Sequence, residues 1–251
     1  MIHLIVGRGG QGTKHAFVDR PAARRRGPRD PGAVATLAVA GSPDDAEAGL
    51  TPVETVDDVR NFVTTGSVAG LFALVLGATS MTSEHRHRTL SGTFLATPTR
   101  WPVVVAKVIG AGVGGLAFGV IGGLIPLVAV AIRFALRGEV VPLGPSVFVA
   151  VLAVGAGAAF SGAMGAAAGA ALRSQLFAIL AVLGWALVVE GLVGAIVPGA
   201  VKWFPFAGIE SALTQTDGDL LSPPVAGLLM AVYLSAATAI GLAVTLRRDI
   251  D

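Results

Sequence analysis

The 251-residue sequence contains no cysteine, which excludes disulfides, thiolate metal sites and cysteine nucleophiles. It is also short of charge. Only 14% of its residues are Asp, Glu, Lys or Arg, where soluble domains carry roughly 25%. With 53% hydrophobic residues, a chain of this length cannot hide its apolar surface from water, and lipid is the natural solvent for it. The charge that exists is unevenly spread. Residues 1–61 hold eight basic and eight acidic side chains, while the other 190 hold ten and eight, mostly in short gaps between apolar runs. This divides the chain into a polar N-terminal leader, 1–61, and a membrane domain, 62–251.

Chemistry-bearing patterns are scarce as well. The membrane domain has no Ser-His-Asp set, paired-carboxylate site or nucleic-acid patch, so no residue is assigned to catalysis and the chain is not expected to be an enzyme. Gly7, Gly12, Thr13 and Lys14 follow an apolar Met1 to Val6 and suggest a phosphate-binding loop. That motif needs Gly-Lys before Ser or Thr, so that lysine reaches phosphate and the hydroxyl holds magnesium. Here Thr13 precedes Lys14, and Pro21, Gly27, Pro28, Pro31 and Gly32 break any helix that might follow. The leader therefore reads as a disordered polar segment, and no cofactor is expected. His85 and His87 point apart at helical spacing and lack two further ligands, so no metal site is expected there.

What is present is a series of apolar runs. A helix needs about 20 apolar residues to cross the ~30 Å hydrocarbon layer. Val108 to Ile132, Ser146 to Leu172 and Val225 to Leu246 are uncharged for 25, 27 and 22 residues. Leu176 to Val197 adds 22 with one interruption, Glu190, and Phe62 to Met81 is a weaker run diluted by Thr64, Thr65 and Ser67. The expected fold class is all-α: a polytopic transmembrane helical bundle with spans at about 62–81, 103–132, 146–172, 176–197 and 225–246.

Lys and Arg in short loops set orientation. Alternate gaps hold Arg86, Arg88, Arg100, Lys107, Arg173, Arg247 and Arg248, seven in all, against Arg133, Arg137 and Lys202 on the other side. Seven against three places residues 84–107 and the C-terminus in the cytoplasm, in a multi-pass cell-membrane protein. The leader then falls outside, although residues 1–30 carry seven basic and two acidic residues and favour the inside. The expectation is that the leader stands where a first span belongs, through a wrong start, a frame error or divergence.

The segment Glu84 to Arg100 is too polar to enter lipid. Its Leu90, Phe94 and Leu95 are spaced for one face of a short helix that Pro98 stops. Such a piece can lie along a membrane surface or dock into a partner's groove; it can equally be a solvated loop whose arginines anchor topology.

Here a resemblance enters. Glu84 with Arg88, the Gly92-Thr93 pair, and Leu95-Ala96-Thr97-Pro98 followed by Arg100 and Lys107 resemble the permease subunits of type 2 ATP-binding-cassette exporters. The resemblance continues through Leu172-Arg173-Ser174-Gln175, a tryptophan-bearing span with an acidic residue, an outer loop with Trp203, Phe204 and Pro205, and a close on Leu246-Arg247-Arg248-Asp249. It covers about residues 62 to 251 and implies six spans, where five are found. It also implies a coupling helix formed by Glu84, Arg86, Arg88, Gly92, Thr93, Phe94, Leu95, Pro98 and Arg100, seated in a cleft of a separate ATPase subunit. A second permease copy or paralogue would complete the pathway. The implied partners are thus that ATPase, a second permease and membrane lipid, with no nucleic acid. The competing readings are a scaffolding or degenerate paralogue without transport and an ion-coupled carrier using Glu190.

Three features inside the spans remain. Glu190 is the only acid in the apolar runs after residue 103, and a charge in lipid costs at least ~2.5 kcal/mol. It either lies on a substrate or proton path or, as the residues favour, hydrogen-bonds between helices or sits near the interface, with Pro198 and Lys202 close after it. Gly115, Gly119 and Gly123, and Gly157, Ser161, Gly165 and Gly169, repeat every four residues and make flat faces for close helix packing, within one subunit or across a dimer. Trp203, Phe204, Pro205 and Phe206 read as an interface anchor, with an outer gate or re-entrant segment as the alternative.

Overall fold

The computed structural model describes residues 53–87, 101–172, 174–209, 213 and 220–246. Every regular element among them is helical, and five helical stretches are long and apolar enough to cross a membrane. The protein is a membrane-embedded helical bundle. In chain order the helices are α1 (Val56–Val63), α2 (Ala69–His87), α3 (Trp101–Arg137), α4 (Pro145–Ala171), α5 (Gln175–Leu183), α6 (Glu190–Ile196) and α7 (Pro223–Leu246). A 3₁₀ turn, Thr64–Val68, joins α1 to α2, and a π turn, Gly184–Val189, joins α5 to α6. Each pair so joined makes one span.

The first helix begins at Val56, six residues before the expected start at Phe62. Its start is fixed by a reciprocal cap. The Thr55 hydroxyl accepts from the Asp58 amide at 3.2 Å, and the Asp58 carboxylate accepts from the Thr55 amide at 2.9 Å. This satisfies two of the orphan N–H groups of a first turn. Val59 and Val63, four residues apart, then bury against Val130 and Phe134 of α3 and Val147 and Val151 of α4. The residues that dilute the run do not break the span. Thr64 and Thr65 donate their hydroxyls to the carbonyls of Asn61 and Phe62, both at 2.7 Å, so these two hydroxyls enter lipid with a partner.

The second span differs more. Charge patterning ended it near Ile132, whereas α3 runs on through Arg133 and Arg137. At 37 residues it is about 55 Å long at 1.5 Å per residue, more than the ~40–45 Å of a whole bilayer. A charge does not stop a helix; a glycine does. Gly138 sits at φ +69°, its amide donates to the Ala135 carbonyl, and the Glu139 amide donates to the Phe134 carbonyl at 3.0 Å. That is the paired closure that only a residue free to adopt left-handed backbone completes cheaply. Pro126 lies inside the same helix and has no N–H for the carbonyl of Gly122. Gly66 of the 3₁₀ turn approaches that carbonyl so closely that a Cβ on it would overlap the oxygen.

Helix α4 is the axis of the bundle, touching all four other spans. Its Gly162 and Gly165 lie directly on the backbone of α2 at Gly77 and Leu74, and Ala158 and Ala163 face α3. Contacts of this kind gain by dispersion between close backbones, because lipid supplies no hydrophobic force between helices.

Candidate functional site

The residues singled out from the sequence fall into three places. Glu84 and Arg86 lie in the last turns of α2. Arg88, Gly92, Thr93, Phe94, Leu95, Pro98 and Arg100 lie outside the described residues. The two helices that flank this segment are neighbours, and Lys107 near the start of α3 donates from Nζ to the Ser80 carbonyl near the end of α2 at 3.2 Å. The end of α2 and the start of α3, which flank 88–100 in the sequence, are therefore adjacent.

The small residues are all buried. On α3, Gly115 and Gly119 rest on α4 at Ala158 and Val154, and Gly123 faces Val151. On α4, Gly165 and Gly169 rest on α2 at Leu74 and Ala78, and Ser161 is 1% exposed. These contacts lie within one chain.

Glu190 forms the most developed polar site among the described residues. It opens α6 yet is only 1% exposed. Its Oε1 accepts from the Trp185 indole at 2.9 Å and the Phe206 amide at 3.3 Å, and its Oε2 accepts from the Ala207 amide at 2.5 Å. Two local distortions make this geometry. Residues five apart lie on different sides of an α-helix, but the wider π turn Gly184–Val189 swings Trp185 round to the side of Glu190. The two amides come from a second π turn, Pro205–Ile209. Proline at its first position has no N–H to offer, and the next two amides, like those of any first turn, have no partner within the turn. The carboxylate of a distant helix supplies it.

Around this centre the segment 198–209 is seated by packing. Phe206 stacks obliquely on Phe160 of α4, ring centroids 6.0 Å apart, beside Ala226 and Met230 of α7. Tyr233 of α7 donates its hydroxyl to the Trp203 carbonyl at 3.1 Å. Trp203 itself is 49% exposed. The aromatic group thus divides: Trp203 is exposed, while Phe206 is packed inward on Phe160.

Chemically the Glu190 site is a clamp. Both carboxylate oxygens are engaged as acceptors, and hydrogen bonds to a charged group contribute about 1.5–3 kcal/mol each, enough together to offset burial of the acid. The residues missed from the sequence are Trp185 and the Phe206 and Ala207 amides. Pro205 was the one available signal, since it frees the amides that follow it. Comparison of the chain with protein-family models, with curated proteins and with solved structures gave no match.

Proposed function

We propose that this membrane protein is the permease subunit of a type 2 ATP-binding-cassette exporter, in the cell membrane with residues 84–100 and the C-terminus cytoplasmic. It forms the substrate pathway with a second permease, and a separate ATPase subunit hydrolyses the ATP. One observation carries the reading. In sequence order, Glu84, Arg88, Gly92-Thr93, Leu95 to Pro98, Arg100 and Lys107 run from the end of α2 to the start of α3, two neighbouring helices joined by the Lys107–Ser80 hydrogen bond.

That position suits a coupling element. A push on residues 84–100 reaches both α2 and α3, and each of them meets α4 backbone to backbone. Helices so packed shift as a unit. The push has an effect only if the segment contacts two nucleotide states of the ATPase differently. Phe94 and Leu95 pack into the partner's cleft in this reading, and Arg86, Arg88 and Arg100 meet acidic or lipid phosphate groups. Glu190 takes the role of a clamp; three donors of its own chain hold its two oxygens, which supports that role over an ion-coupled carrier.

Phe94→Asp tests the proposal. The expected result is loss of an ATP-binding-cassette ATPase that co-purifies with the wild-type chain, with thermal unfolding unchanged. A variant that keeps the ATPase, or a wild-type chain that transports on a proton gradient without ATP, sinks it.

A further inference from the structure

A groove of about 440 Å³ runs along the outside of the bundle between α2 and α3. That is within the range of ligand pockets, roughly 300–1,000 Å³. Its floor is Ala73, Gly77, Gly110 and Gly114, and among the described residues its one charged lining residue is Lys107, whose Nζ also donates to the Ser80 carbonyl at that end. Phe118 closes the other end, its ring 6.4 Å from that of Phe72. A Cβ added at Gly110 or Gly114 would meet nothing within 4 Å, so at these positions the groove is open to the outside.

We propose that this groove binds one anionic phospholipid, with an acyl chain along the floor and the phosphate at Lys107. The dimensions favour it. From Lys107 to Phe118 is eleven residues, about 16 Å of helix, and half of a ~30 Å hydrocarbon core is one leaflet. Lys107 is the last charge before the uncharged run Val108 to Ile132, which puts its ammonium at the depth of a headgroup and the two phenylalanines at the end of an acyl chain. Basic pockets between spans on a membrane surface recognise phosphate headgroups by this pairing of charge and apolar slot. A second copy of the chain fits less well. Two copies in one membrane share orientation, so a two-fold contact along this groove brings Lys107 toward Lys107 at the same depth.

The full chain, purified in detergent, is titrated with dioleoylphosphatidylglycerol or dioleoylphosphatidylcholine and read by native mass spectrometry. One phosphatidylglycerol should be retained with about a fivefold preference, the factor that one surface lysine supplies. Lys107→Gln should remove the preference and leave occupancy by either lipid. Gly114→Leu should remove occupancy, with thermal unfolding unchanged because its Cβ enters open space. Gly110→Val is the second filling variant if Gly114→Leu does not fold. The proposal fails if the wild type shows no preference, or if the preference survives both substitutions. It fails equally if the filling variants lose a chain–chain dimer instead of a lipid.

Discussion

Helices α4 and α7 have the same mean hydropathy, yet 61% of the membrane stretch of α4 is buried in protein and only 17% of that of α7. The fourth span, α5 with α6, is more apolar than either and is also 17% buried. In water, the most apolar element would be the innermost. In lipid that sorting force is gone, because a leucine in the bilayer is already in its preferred solvent. Size decides instead. The buried positions of α4 are mainly glycine, alanine and serine, whereas α7 leaves Leu228, Val232 and Ile240 outward and buries Ala226, Met230 and Gly241. Helices that let a neighbour's backbone come close take the centre.

The strongest way to break this comparison is to enlarge one residue on each side of it. A Cβ at Gly165 would overlap the Leu74 carbonyl oxygen, a backbone atom that cannot rotate away. A Cβ at Gly227 of α7 meets nothing within 4 Å. Overpacking commonly costs 1–3 kcal/mol and more where the backbone must move, so Gly165→Leu should destabilise by at least about 3 kcal/mol and yield little monodisperse protein. Gly227→Leu should change stability by no more than about 0.5 kcal/mol. Thermal unfolding in detergent compares the two, and equal losses would remove size as the sorting rule.

The Glu190 clamp is the exception on the loosely packed side, where a polar contact replaces close packing. Glu190→Ala leaves two backbone amides and an indole N–H without their acceptor, at about 1–3 kcal/mol per buried donor. We expect a loss of about 3 kcal/mol, with faster proteolysis inside residues 198–209. Glu190→Gln keeps a carbonyl acceptor and should lose about 1 kcal/mol, as should Trp185→Phe, which removes one donor. If neither the Ala nor the Gln variant released the segment, packing by Phe206 would be what seats it.

Five spans were legible from run length alone, since a chain in lipid must satisfy its backbone within each crossing. Their ends were less so. Arg133 and Arg137 were read as a gap, although charge on a long side chain is compatible with helix, and the stop came at Gly138 through its backbone freedom. Thr55 and Asp58 carried the signature of a helix start three residues apart, hidden because the acids around them suggested a leader. The acid at 190 stood out in its apolar run. Its partners did not, because two are main-chain amides 16 and 17 residues away and the third needs a π turn that periodicity does not encode. The small-residue repeats on α3 and α4 were visible, and the structure supplies their neighbours.

The most local expected effect lies at the other extreme from the buried contacts, at the cap of α1. Asp58 accepts from the Thr55 amide and hydroxyl while the Asp58 amide donates back to that hydroxyl, so the two residues act as a unit. Thr55→Val and Asp58→Ala should each destabilise by about 1 kcal/mol, and the double variant by less than the sum, because either change already opens the ring. The loss should stay local, read as faster amide hydrogen exchange in α1. Val59 and Val63 remain packed on α3 and α4 in every variant, which holds the helix after its cap is gone. A double variant that melted the whole chain would mean that α1 organises the bundle, and that the glycine contacts of α2, α3 and α4 follow from its docking instead of supporting it.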